Sequence, residues 1–355
     1  METIACSLCG ADHARVVLQQ RDLTHGISNE EFTVVRCAGC GLLYLNPRPT
    51  PAEIGRYYPP QYFPAVLPRP QTGLKRSTKR LSGAIKRWIM EDFYNYPTRA
   101  PLGWWRWLRK LLLWPEKIRR VFRGREILPW VEQGRLLDVG CGPGVNLATL
   151  RSQGWDVYGL DTSAVAVTCA REQFGDRVQL GDLGSVQYKD RSFDVVLFSH
   201  SLEHLFDPLA ALTEVRRILN DQGLVVITLP NAGSLEARLF GQWWFPWELP
   251  RHLYHFEKTT LTRLLEQAGF DVVRVRTGVG SLFFMTSLER FWTHRFGRAI
   301  PARRAIEKLV ARPFCLAAGH LGYGTEITVY AVKARSVPER HAPDTSAAGA
   351  AAPCG

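Results

Sequence analysis

Residues 135–150, RLLDVGCGPGVNLATL, decide how this chain is read. The apolar residues Leu136, Leu137 and Val139 lead into Gly140, Gly142 and Gly144, and a helix-forming stretch follows. Glycine permits a sharp turn and a close approach of backbone to ligand, and the first N–H groups of a helix favour anionic atoms. The loop alone leaves the ligand open, because a GxGxxG-like turn serves a dinucleotide equally well. It does define a strand–turn–helix unit, from which an α/β pattern extends in both directions.

Downstream, short β-branched runs bounded by turn residues read as strands: DVYGLD (156–161), VQLGD (178–182), FDVVLFS (193–199) and LVVITLP (224–230). DVVRVRTG (271–278) and TEITVYAVK (325–333) follow, with amphipathic helices such as 209–219 and 259–270 between strands. Alternating strands and helices specify an α/β sheet over residues 132–333. The stretch 281–320 is too long for a hairpin loop and is expected to form helices. Ala302, Ala305, Ile306, Leu309 and Val310 fall on one helical face there, opposite Arg303, Arg304, Lys308 and Arg312. Upstream lie a cysteine-bearing segment (1–50), a Pro/Tyr-rich linker (51–73) and a basic, Trp-rich helical segment (74–131). Residues 334–355 are small, polar and Pro/Ala-rich, the composition of a disordered tail.

Three acids stand at successive strand ends. Asp138, two residues before Gly140, could meet a cationic amino group, which a pyrophosphate lacks. It suits the methionine end of S-adenosylmethionine, with its ammonium and carboxylate. Asp161 is placed to accept from two ribose hydroxyls, and Asp182 from the exocyclic amine of adenine. Surface carboxylates beside a glycine turn would explain any one of these acids, but not all three together.

DVGCGPG (138–144), GLDTS (159–163), GDL (181–183) and FDVVLFSHSLEHLFDP (193–208), in this order, resemble the class I S-adenosylmethionine-dependent methyltransferases. Residues 229–270 resemble a bacterial subgroup often encoded with cell-surface glycan or lipid biosynthesis genes. The resemblance implies a seven-stranded Rossmann-like sheet of order 3-2-1-4-5-7-6, with strand 7 antiparallel. It also implies cofactor roles for Asp138, Gly140, Gly142, Asp161 and Asp182, with Gly144 closing the loop. The Trp/Arg segment and the long insertion depart from the usual pattern and leave the acceptor open. After the fourth strand, His204 lies near the expected methyl position, and His252, in PRHLYHF, follows the fifth strand. Either could be the general base, since histidine titrates near neutral pH. His200 and His255 read as packed or solvated residues. A metal-assisted role for Glu203 with His204 is a weaker reading.

Cys6-Ser-Leu-Cys9-Gly and Cys37-Ala-Gly-Cys40-Gly are two knuckles of one form. Four thiolates complete a closed tetrahedral Zn²⁺ site with no position left for water, so the expected role is structural. The paired repeat argues against a redox CxxC.

The net charge of +12 is concentrated between Lys75 and Arg125, where fifteen Lys/Arg face three Asp/Glu. Within it, Trp104, Trp107, Leu108, Leu111 and Leu112 form an apolar stripe, with Arg106, Arg109 and Lys110 on the other side. Such a helix suits the interface of an anionic membrane, with packing on the domain or single-stranded nucleic acid as alternatives. No apolar run is long enough to span a bilayer, and the first residues lack a secretory pattern. A cytoplasmic enzyme, peripheral on the inner membrane face, is expected. Its acceptor would be a small molecule, a glycan or a lipid-linked compound. The alternatives are an RNA methyltransferase with a zinc-binding arm and an inactive zinc-ribbon interaction protein. Co-purifying RNA would favour the first and absence of cofactor binding the second.

Overall fold

The computed structural model describes residues 1–59, 75–97, 105–122, 124 and 127–335. Residues 60–73 of the linker, Trp104 and residues 336–355 of the tail lie outside the described residues. The chain opens with β1 (Ala14–Gln20), β2 (Phe32–Cys37) and β3 (Leu43–Leu45), followed by α1 (Lys75–Phe93) and α2 (Trp105–Phe122). Next come β4 (Arg135–Val139), α3 (Val145–Ser152), β5 (Asp156–Asp161), α4 (Ala164–Phe174), β6 (Val178–Leu180) and β7 (Phe193–Ser199). Then follow α5 (Pro208–Ile218), β8 (Leu219–Pro230), α6 (Leu235–Phe240), β9 (Tyr254–His255), α7 (Lys258–Gln267) and β10 (Phe270–Thr277). The insertion holds α8 (Leu282–Phe296), α9 (Arg303–Ile306) and α10 (Arg312–His320), and β11 (Glu326–Lys333) ends the fold.

Seven strands form one mixed sheet in the order β10-β11-β8-β7-β4-β5-β6. β4 lies parallel to β5 and β7, β5 to β6, and β7 to β8, whereas β11 runs antiparallel to β8 and β10. Helices flank this sheet, so the α/β class expected from the sequence is observed. The central strands β4 and β7 are buried along nearly their whole length. That is why they read as continuous apolar runs rather than alternating ones. Asp207 caps α5 by accepting from Ala210 N–H at 2.9 Å, and Pro208 occupies its first turn.

The cysteine segment is not a free-standing ribbon. Its sheet runs β1-β2-β3-β9, and the last strand comes from the far side of the sequence. Leu43 pairs with His255 and Tyr44 with Tyr254, giving the backbone of β3 a partner on its open edge. Phe32, Leu43, Tyr44 and Leu45 share one apolar core with Leu137, Phe198, Ile227 and Leu261 of the larger domain. The opposite face packs Leu136, Val195, Leu147 and Val167 with Ile89 and Met90 of α1.

Two local expectations change. Residues 54–57, within the stretch expected to be an irregular linker, form a 3₁₀ turn, and Tyr57 is buried against Phe32. In the insertion, a π turn over Glu307–Ala311 joins α9 to α10. The wider turn shifts the inward face to Ala311, Cys315 and Ala318, leaving Leu309 and Val310 exposed.

Candidate active site

The glycine loop sits where β4 hands over to α3. Gly140 has φ +76°, and a Cβ there would strike Ser201, the residue that closes the loop from the β7 side. Gly144, at φ +85°, caps α3, and a Cβ on it would come within 2.9 Å of the Phe174 ring. Left-handed backbone and close neighbours together demand glycine at both positions.

Asp138 is fully buried, and among the described residues neither carboxylate oxygen makes a hydrogen bond of ordinary geometry. Burial first, and the charge of Asp161 second, push its pKa up to about 7, with Asn146 acting in the opposite direction. Asp161 is also buried, which raises its pKa, but its oxygens accept from Gly142 N–H and Ser163 N–H, each at 2.8 Å. It therefore ties the glycine loop to the end of β5, a task that sequence spacing did not reveal. Asp182 is exposed and accepts from Ser185 N–H at 2.8 Å, the bond that chiefly lowers its pKa. Two buried acids facing a helix N-terminus, one with no hydrogen bond made among the described residues, form a cradle for a ligand carrying a cation. The ammonium of S-adenosylmethionine fits that requirement.

Beside this loop, Glu203, His204 and His252 present ligand atoms within 4.8 Å of one another. His204 Nδ1 lies 3.0 Å from the Arg251 carbonyl and 3.2 Å from the Tyr58 hydroxyl, and His252 Nδ1 lies 2.8 Å from the Pro246 carbonyl. A carbonyl can only accept, so both Nδ1 atoms carry a proton, and His252 Nε2 lies 3.6 Å from Glu248. Burial, with His252 adding repulsion, presses the His204 pKa down to about 4. Glu203 is buried, with His200 3.7 Å from one oxygen and, among the described residues, no closer hydrogen-bond partner. Burial works against its charge, but His200, His252 and His204 hold its pKa down at about 2. His200 has φ +55° and lies 3.7 Å from Glu203 and 3.1 Å from Glu326. Burial works against its charge too, yet those two carboxylates carry its pKa up to about 10. His255 is buried against Trp247, and burial pushes its pKa well below the ordinary value.

The fold thus brings His204 and His252 together, their rings 4.7 Å apart. It also adds Tyr58, Glu248 and Arg251, which sequence reasoning missed. The signal for Arg251 and Glu248 lay in WELPRH (247–252), beside a histidine already singled out; Tyr58 in RYYPP (56–60) carried none. Arg251 is fully buried, donates to both oxygens of Asp22 at 2.8 and 2.9 Å, and donates to the Tyr57 carbonyl at 2.9 Å.

The four N-terminal cysteines also converge. Cys6 and Cys40 sulfurs lie 3.4 Å apart, as do those of Cys9 and Cys37, and all four lie within 4.8 Å. In each knuckle the first cysteine's carbonyl accepts from the glycine N–H, Gly10 at 2.7 Å and Gly41 at 3.1 Å. Tetrahedral Zn²⁺ with bonds of about 2.3 Å needs sulfurs about 3.8 Å apart, so the cluster fits a structural zinc.

A family model described as a methyltransferase domain matches residues 104–275, from α2 into β10. A demethylmenaquinone methyltransferase of Staphylococcus aureus is 30% identical over 178 residues, covering 42% of this chain and 73% of that protein. The chain belongs to the S-adenosylmethionine-dependent methyltransferases. A ubiquinone biosynthesis O-methyltransferase of Cereibacter sphaeroides is 33% identical to this methyltransferase over 150 residues. That match covers 39% of this chain and 61% of the relative, so the chain spans less than two thirds of that protein. A solved S-adenosylmethionine-dependent methyltransferase from Mesorhizobium loti aligns at 21% identity and a TM-score of 0.41, covering 62% of this chain and 97% of that one.

Proposed function

We propose that this methyltransferase transfers a methyl group to a hydroxyl or ring carbon of a small, largely apolar acceptor. Asp138 carries the reading: a buried carboxylate at a glycine loop, with no hydrogen bond of ordinary geometry among the described residues, calls for a cationic ligand. Bound there, S-adenosylmethionine supplies an electrophilic methyl on a cationic sulfur. Asp138 holds the ammonium, Gly140, Gly142 and Gly144 let the loop approach, Asp161 takes the ribose, and Asp182 the adenine amine. His204 or His252 removes the acceptor proton, a role supported by the backbone carbonyls that anchor both Nδ1 atoms and so fix the two rings. Tyr58 and Arg251 orient His204. The relatives named for quinone methylation support a ring-bearing acceptor. The test is to incubate the protein with labelled cofactor and a bacterial lipid extract, and to seek a product heavier by one CH₂. Transfer of label to RNA and to no extract component would sink the reading.

A second reading is favoured by the same cluster. Glu203, His204 and His252 have the composition of a two-histidine, one-carboxylate metal site, and backbone carbonyls accepting from the Nδ1 atoms orient both imidazoles. Metal analysis separates the readings. Two ions per chain, with one lost in Glu203→Gln, would support it, and one ion lost only with the cysteines would refute it.

A further inference from the structure

The helix α2 turns an apolar stripe outward. Trp107, Leu111, Trp114, Ile118 and Phe122 recur at helical spacing and are each between 49% and 68% exposed. Leu112 and Trp105, at 70% and 55%, widen the stripe, and no residue of α2 is buried. Of its charged side chains Arg106, Lys110 and Arg119 are exposed, whereas Arg109 and Arg120 are largely covered. Arg109 is only 14% exposed and pairs with Asp92 at 2.7 Å and Glu91 at 3.1 Å. Arg120 is 19% exposed and pairs with Glu116 at 2.9 Å. A surface helix ordinarily buries its apolar face and exposes its charges. A contiguous exposed stripe of this kind marks an interaction surface.

The charge around the stripe selects the occupant. α1 and α2 together carry twelve Lys/Arg and three Asp/Glu. Lys110 is exposed beside the stripe, and Lys117 lies 4.9 Å from the Trp114 ring centre. Tryptophan and lysine around an apolar stripe match the headgroup layer of an anionic bilayer, where rings and stems bury while the charges meet phosphate. Among the described residues no helix is long and apolar enough to cross a membrane. The stripe ends at Phe122, which stacks on His320 at 4.3 Å, next to Leu321 at 70% exposure. It therefore reaches the insertion, whose Phe283 lies 6.2 Å from His200, ring centre to ring centre, at the candidate active site.

We infer that α2 docks this methyltransferase on an anionic lipid surface through its outward stripe, with the insertion at the lipid edge. The test uses the full chain and vesicles of phosphatidylcholine with or without phosphatidylglycerol, read by co-sedimentation and tryptophan fluorescence. Binding is expected only with phosphatidylglycerol, with a blue shift, and weakening as salt rises. Changing Trp107, Leu111 and Trp114 together to Ser should weaken binding by about tenfold or more, with cofactor affinity and thermal melting unchanged. Lys110→Glu with Lys117→Glu should reduce binding to phosphatidylglycerol vesicles similarly. Full-chain protein that ignores these vesicles at low salt overturns the inference, as does a serine variant that binds like wild type. Loss of an oligomer or of RNA binding in the serine variant, without vesicle binding in wild type, assigns the stripe to that partner instead.

Discussion

Replacing Asp138 by Asn should move stability and cofactor affinity in opposite directions. The carboxyl is fully buried, makes no hydrogen bond of ordinary geometry among the described residues, and burial raises its pKa from 3.8 to about 7. A carboxyl whose folded pKa exceeds its unfolded value favours the fold at low pH. Its penalty begins above the unfolded pKa near 4, grows as pH rises, and is complete above about 7. About three units correspond to roughly 4 kcal/mol at pH 8, and to less than about 2 kcal/mol at pH 5. Asn keeps the shape and removes the charge. The cofactor-free variant should therefore melt several degrees higher than wild type at pH 8, with a smaller gain at pH 5. Binding of S-adenosylmethionine should weaken by about 1.5–3 kcal/mol, because a charge-assisted bond to the ammonium is lost. For the same reason, wild-type affinity should rise with pH through 7, since only the ionised carboxylate pairs with the ammonium. Scanning fluorimetry at the two pH values and calorimetry at pH 8 read both effects. Equal affinity in the Asn variant at pH 8, or a lower melting temperature there, would refute the reasoning.

Three further outcomes are expected. Cys37→Ser should lose one zinc per chain by elemental analysis and lower the melting temperature, since β3 shares the core of the larger domain; a folded wild type devoid of metal would contradict this. Asp161→Ala should weaken cofactor binding by more than the ribose bonds alone explain, because Gly142 N–H and Ser163 N–H lose their acceptor; unchanged affinity in a folded variant would remove Asp161 from the site. His204→Ala should retain cofactor affinity while turnover of an identified acceptor falls about 10²-fold or more; wild-type turnover would move the base elsewhere.

What was legible in the sequence follows from how local the cause is. The strand–glycine–helix unit at 135–150 is written in adjacent residues: a both-faces-buried strand, two obligatory glycines and a helix start. The cysteine knuckles are equally local, each closing on its own carbonyl and glycine N–H. The acids at strand ends were visible as positions but not as roles. Asp161 spends its oxygens on backbone amides, and Asp182 is exposed within its own turn. Long-range partnerships carried no local signature. Nothing in Tyr254–His255 announces a fourth strand for a sheet more than 200 residues earlier, and Tyr58 gains a role only because Arg251 holds the Tyr57 carbonyl. Trp107, Leu111 and Leu112 of the expected stripe share the outward side of α2, but which face turns outward depends on Glu91 and Asp92 capturing Arg109 from a different helix.

The buried pair Asp22–Arg251 shows why the cysteine segment matters to the acceptor side. Both side chains are fully buried, and Arg251 links three places: Asp22 in the N-terminal segment, the Tyr57 carbonyl, and, through its own carbonyl, His204. Burial alone would raise the Asp22 pKa, but the Arg251 guanidinium holds it below the ordinary value. Its contribution to stability is thus present above the unfolded pKa near 4 and disappears as pH falls through the lower folded value. Asp22→Ala removes the two-oxygen partner of a buried guanidinium and leaves it Glu248 at 3.4 Å and the Tyr57 carbonyl, a loss of up to about 3–5 kcal/mol. If the pair only holds the fold together, every property should decline in proportion to unfolded protein. If it positions His204, the folded fraction should bind S-adenosylmethionine as wild type does, since Asp138 and the glycine loop lie on β4 and its turn. Turnover of that fraction should still fall. Asp22→Asn, which can still accept from Arg251, should recover part of both the melting temperature and the turnover. A variant with normal turnover per folded molecule would show that Asp22 stabilises the segment without positioning the histidine.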